Sequence, residues 1–84
     1  MATPAVSQIA CGPYDEIIGM LENRYREYPI GVGLSTTGHI LEIFASPNGE
    51  TWSILMVGTN GVACVLAAGE NWQELQSVVP TDGA

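Results

Sequence analysis

The sequence predicts a small α+β domain: an N-terminal helix packed on a three- to four-stranded antiparallel β-meander, with room for a short C-terminal helix. Three observations carry this expectation. Apolar residues recur at three- and four-residue steps from Tyr14 to Tyr28, then at two-residue steps after Pro29. Glycine-marked turns, SPNG and TNGV, separate the later apolar runs. A length of 84 residues suits one domain with a thin core, which gains from a disulfide, a metal or a partner.

The helix is read from ACGPYDEIIGMLENRYREYPIG. Pro13 suits the first helical position, where a missing N–H costs nothing. Asp15 and Glu16 lie near the positive end of the helix dipole, Arg24 and Arg26 near the negative end. Tyr14, Ile17, Ile18, Leu21, Tyr25 and Tyr28 form one apolar stripe, Glu22 and Arg26 an i,i+4 pair, and Pro29 stops the helix at or before Tyr28. Gly19, in mid-helix, is read as allowing close approach to the sheet.

Strands are expected at IGVGLS, HILEIFA, TWSILMV and ACVLAA. Asn60-Gly61 is read as a two-residue type I′ turn and Pro47–Gly49 as a three-residue loop. In GENWQELQSVV, Asn71 and Glu74 have capping-box spacing, the signal for the C-terminal helix. Residues 1–10 read as a flexible N-terminal segment, 11–79 as the single α+β domain and 80–84 as a tail.

Those turns sort side chains by face. One face carries Leu41, Ile43, Ala45, Leu55, Val57, Val62, Cys64 and Leu66, and is expected under the helix. The other carries Ile40, Glu42, Phe44, Trp52, Ile54, Met56, Ala63, Val65 and Ala67. A solvated sheet face should alternate apolar with polar. This one is apolar around one carboxylate, so Ile40, Glu42, Phe44, Trp52, Ile54, Met56 and Val65 are the candidate interaction face. A second copy, the C-terminal segment with Trp72, or another protein would cover it.

Composition narrows the function classes. Apolar residues make up 46% and charged residues 13%, so the chain folds rather than staying disordered. Two arginines against nine acids, a net charge of −7, leave no cationic surface for nucleic acid or anionic membrane. No apolar run reaches the ~18 residues of a membrane span. With Cys11, Cys64 and His39 but no CxxC or HxxxH, no metal site is expected. His39 reads as an exposed turn residue. Cys64 lacks the basic, accessible setting of a thiol nucleophile, GLS and STTG are not a nucleophile elbow, and Glu42 has no second acid placed beside it. No catalytic residue and no cofactor are predicted.

The two cysteines are expected to form a disulfide, Cys11–Cys64, stapling the helix start to the sheet; two buried free thiols are the alternative. A bridge argues for an oxidising compartment. The start, MATPAVSQIAC, is not a signal peptide as it stands. The expectation is a mature periplasmic or secreted domain whose signal has been removed and a start methionine added.

The stretch from CGPYDEIIGMLENRYREYPIG through GLSTTGHILEIFASPNGETW to GVACVLAAGENW resembles a group of short exported proteins of Gram-negative, mainly alphaproteobacterial type. The resemblance spans about residues 11–72 and rests on the order of short motifs. It implies a signal-bearing exported protein with paired cysteines, and no activity. The sequence therefore reads as a non-catalytic interaction module that forms a homo-dimer or docks a protein partner. The alternative is an acidic, disulfide-stapled binder or inhibitor of a cell-envelope enzyme, or a binder of a small ligand.

Overall fold

In the computed structural model, which describes residues 10–75, a strand comes before the helix: Ala10–Pro13 forms β1. Its apolar ACGP was read as the helix entry. Pro13 is tolerated because β1 is a sheet edge, where its missing N–H disrupts no ladder. Pro13 (φ −58°, ψ 139°) is the cap rather than the first helical residue, so the helix begins one residue later than expected, and the Tyr14 N–H is held by the Gly61 carbonyl at 2.9 Å.

Helix α1 spans Tyr14–Tyr25, with Asp15 and Glu16 in its first turn and Arg24 in its last. It ends where Arg26 turns left-handed (φ 57°), the Arg26 N–H bonding the Glu22 carbonyl and the Glu27 N–H the Leu21 carbonyl. Arg26 is therefore off the helix, and Tyr28 opens a strand instead of extending the stripe. A Cβ on Gly19 would meet no atom within 4 Å, so Gly19 makes no close approach.

Four longer strands follow: β2 (Tyr28–Leu34), β3 (Ile40–Ala45), β4 (Thr51–Val57) and β5 (Val62–Glu70). All five strands join one antiparallel sheet in the order β1-β5-β4-β3-β2, beside the one helix among the described residues. The fold class is α+β as expected, but the strand count of three to four is wrong. The extra strand is the short β1, which lacks the length and alternation that mark a strand in sequence. The C-terminal helix is absent as far as residue 75: Asn71 is left-handed (φ 62°), and its N–H bonds the Glu50 carbonyl at 3.2 Å. The rest of that predicted helix lies outside the described residues.

The hairpin turns differ from the expected ones. Gly58 N–H bonds the Val62 carbonyl at 3.0 Å and Gly61 N–H the Gly58 carbonyl at 3.2 Å, so Thr59–Gly61 is a three-residue loop. Of the turn residues only Gly61 takes positive φ (83°), and the Asn60 Oδ1 accepts the Val62 N–H at 3.1 Å. The β3–β4 loop is one residue longer than expected, because Ser46 pairs with Thr51 (3.0 Å) and Asn48 Oδ1 accepts the Glu50 N–H at 3.3 Å.

Each change slips the register by one residue, and a one-residue slip moves every side chain to the opposite face. Leu41 lies opposite Met56 rather than Leu55, and Val57 opposite Ala63 rather than Cys64. The central strand is thus turned over relative to both neighbours. The core that results is Ile17 and Leu21 of α1 on Phe44, Leu55 and Ala63, with Leu55 fully buried and Phe44 3% exposed. Tyr14, Ile18, Met20, Val57 and Val65 close around it. This register gives α1 a large aromatic and a branched aliphatic to pack on; the expected one would have left Phe44 facing away from it.

Candidate interaction face

The sheet face opposite α1 follows from the register and the alternation along each strand, which the bulges of β2 and β5 each interrupt once. Cross-strand pairing sets Gly33, Leu41, Met56, Cys64 and Cys11 in one row, and Gly31, Ile43, Ile54 and Ala67 in the next. Tyr28, Ala45, Trp52 and Gly69 form a third. None of these residues is charged. Leu41, Ile43, Ile54 and Met56 are half-buried by one another, and Leu66, the residue inserted at the β5 bulge, is 43% exposed.

The predicted face is therefore split. Trp52, Ile54 and Met56 lie on the uncovered face. Ile40, Glu42, Phe44 and Val65 lie on the helix side, where Phe44 is core and Val65 packs against it. Leu41 and Ile43, assigned to the helix side, replace them. Glu42 is not ringed by Ile54 and Met56; its Oε1 accepts the Tyr14 hydroxyl at 2.9 Å. Burial, then this hydrogen bond and the charges of Glu42 and Asp15, raise the Tyr14 phenol above its ordinary value near 10.

The disulfide is present, joining Cys11 and Cys64 as directly opposed residues of β1 and β5 with Cα atoms 4.0 Å apart. Such closeness belongs to the non-hydrogen-bonded positions of an antiparallel pair. The neighbouring pair, Gly12 and Ala63, faces α1: Ala63 is core, and a Cβ on Gly12 would touch Ile17 at 3.6 Å. The sulfurs therefore sit beside Met56 on the uncovered face. They staple strand to strand, not the helix start to the sheet face under the helix, as the expected register implied.

One corner of the face is covered by the chain itself. Trp72 stacks on Trp52 with ring centroids 5.9 Å apart and planes tilted by 51°. The Trp72 backbone N–H bonds the Gly49 carbonyl at 2.8 Å, while Trp52 Nε1 donates to the Glu70 carbonyl at 3.1 Å. A shallow groove of about 400 Å³ opens there, with Tyr28, Ala45, Pro47, Trp72 and Glu74 in its wall. Coverage by the C-terminal segment with Trp72 was one of the alternatives open from the sequence, and the Trp52–Trp72 contact realises it at this corner alone; the groove was not anticipated.

Other candidate chemistry stays dispersed. His39 is an exposed turn residue, its Nδ1 3.0 Å from Thr37 Oγ1. Among the described residues no three His, Cys, Asp or Glu side chains gather to hold a metal ion. Glu27, not singled out in the sequence, is 2% exposed, and its Oε1 has no hydrogen-bond partner among the described residues. Among those residues no helix is long and apolar enough to cross a membrane. The chain matches no family model, no curated protein and no solved structure.

Proposed function

We propose that this chain is a non-catalytic interaction module of an oxidising compartment, periplasmic or secreted, that self-associates through the sheet face opposite α1. One observation carries the reading: from β1 to β3 the strand residues of that face are apolar and uncharged, with Glu74 only at the tryptophan corner, while α1 covers the other face. A patch of this kind on a small domain marks an interface. Its chemistry favours a second copy as the occupant. Two chains of net charge −7 repel, yet this face lets them meet with no carboxylate opposing another. A cationic partner would engage the acids carried elsewhere, such as Asp15, Glu16 and Glu22. The Cys11–Cys64 bridge supports the oxidising compartment.

Light scattering on the oxidised chain tests the proposal, with Ile54→Glu and Leu41→Lys as interface variants. The expected result is a multiple of the chain mass that drops in both variants while their circular dichroism is unchanged. A mass indifferent to both substitutions rejects this face. Salt-sensitive capture of a cationic cell-wall enzyme by a monomeric chain would favour the inhibitor reading instead.

A further inference from the structure

We infer that β2 pairs antiparallel with β2 of a second copy about a two-fold axis at Val32, joining two five-stranded sheets edge to edge. This adds a second surface to the self-association proposed above and rests on different residues.

The edge is open, and from Val32 onward it carries none of the usual guards. Strand β2 is last in the sheet order, with β3 as its one sheet neighbour among the described residues. Ser35 N–H bonds the His39 carbonyl at 2.8 Å, which makes Ser35 and His39 a hydrogen-bonded pair. Alternation then points the backbone groups of Gly33 and Gly31 at β3 and those of Val32 and Leu34 outward. Soluble sheets blunt such edges with charges, proline or bulges. YPIGVGL holds no charge, and its proline and bulge lie at its start, Pro29 to Gly31. Beyond them Val32 is 71% and Leu34 77% exposed.

The sequence of the edge selects its partner. Ile30-Gly31-Val32-Gly33-Leu34 alternates large residue and glycine identically in both directions. Antiparallel pairing about Val32 sets it against the partner's Val32 and Gly31 against the partner's Gly33, and brings the partner's Leu34 to the bulge at Ile30. A two-fold interface requires this self-complementarity. At the centre the outward N–H of Val32 donates to the carbonyl of the partner's Val32, and the reverse. No Asp, Glu, Lys or Arg lies between Tyr28 and Leu41, so the pairing brings no carboxylates together despite the net charge of −7. Pairing β2 with β1 of a second copy would instead propagate without closing, on a strand of four residues ending in proline.

The test is light scattering on the oxidised chain with substitutions at Val32. Val32→Pro removes an outward donor that β3 does not use, a change edge strands tolerate. Val32→Lys keeps the backbone and sets like charges directly opposite each other. Both are expected to halve the mass. Val32→Cys is expected to link two chains on a non-reducing gel, since hydrogen-bonded cross-strand pairs hold their Cα atoms about 5.5 Å apart, within disulfide reach. Leu34→Cys should not link, because the two copies of that residue would lie ~13 Å apart along the strands.

Unchanged mass in both Val32→Pro and Val32→Lys overturns the inference, as does linkage by Leu34→Cys as efficient as by Val32→Cys. If Val32→Pro loses its fold, Val32→Lys and the two cysteine variants decide. With both surfaces in use, Ile54→Glu alone halves the mass and Ile54→Glu with Val32→Lys gives one chain. If the Val32 variants halve the mass and Ile54→Glu does not, the edge stands and the face reading falls. A wild-type mass of one chain overturns both.

Discussion

The Tyr14 hydroxyl donates to Glu42 Oε1 at 2.9 Å, tying the first residue of α1 to the middle of β3. The bond crosses the helix-side face and orients α1 over Leu55 and Phe44. The phenol is raised in the folded chain by burial first and then by Glu42, so folding favours its neutral form. A group with a raised folded pKa stabilises the fold below its unfolded value and loses that contribution as pH rises through the folded value. Urea midpoints should therefore fall above pH 10, the ordinary phenol value, by more in the wild type than in Tyr14→Phe. At neutral pH, Tyr14→Phe should cost about 1 kcal/mol, the net worth of one hydrogen bond.

The Cys11–Cys64 bridge spans a sequence separation of 53 and closes most of the described chain into one loop. In the chain-entropy account such a loop is worth about 4 kcal/mol. Mass spectrometry should show two hydrogens gained on reduction. Cys11→Ser with Cys64→Ser should lower the urea midpoint accordingly, a large fraction of the stability of a domain this small. Because the sulfurs lie on the face away from α1, the far-UV spectrum of any chain that stays folded should be unchanged.

Gly19 lies inside α1 with open space where a Cβ would stand. Gly19→Ala should therefore stabilise the chain by up to ~1 kcal/mol, the helix-propensity difference, with no packing cost. A thermal midpoint raised by up to about 4–8 °C would match this. A lowered midpoint would mean that something occupies that space in solution.

The tryptophan corner depends on two small residues. A Cβ on Gly69 would stand 2.8 Å from the Trp52 ring, and one on Gly49 would run into the Trp72 carbonyl. Gly69→Val should displace Trp52 from β5, and Gly49→Ala should release Trp72 from the turn, with added strain at φ 78°. Near-UV circular dichroism should register the loss of the Trp52–Trp72 contact in both, at a cost of about 1–3 kcal/mol for overpacking.

The helix, the later strands and the cysteine pair were legible because each writes a period or a punctuation mark into the sequence. Ile17 and Leu21 repeat at helical spacing, and Gly49 and Gly61 mark the turns. What failed was the count of residues inside those turns. Asn60-Gly61 suits a two-residue loop by composition, yet Asn60 spends its side chain on the Val62 N–H, and the loop takes Thr59 as well. One residue at each end of β4 exchanged the partners of Phe44, Leu55 and Cys64. The split of the interaction face, the misplaced sulfurs and the true surroundings of Glu42 all follow from that exchange. The edge character of β2 was out of reach for another reason: strand order is a property of the whole sheet, and IGVGLS reads alike at an edge or a centre.

Self-association through a charge-free sheet surface is the central claim, and the mass of the oxidised wild-type chain in solution tests it most directly. Light scattering across a hundredfold range of concentration should return a multiple of the chain mass that falls on introducing Ile54→Glu. A mass of one chain throughout that range, with the disulfide intact, would contradict it.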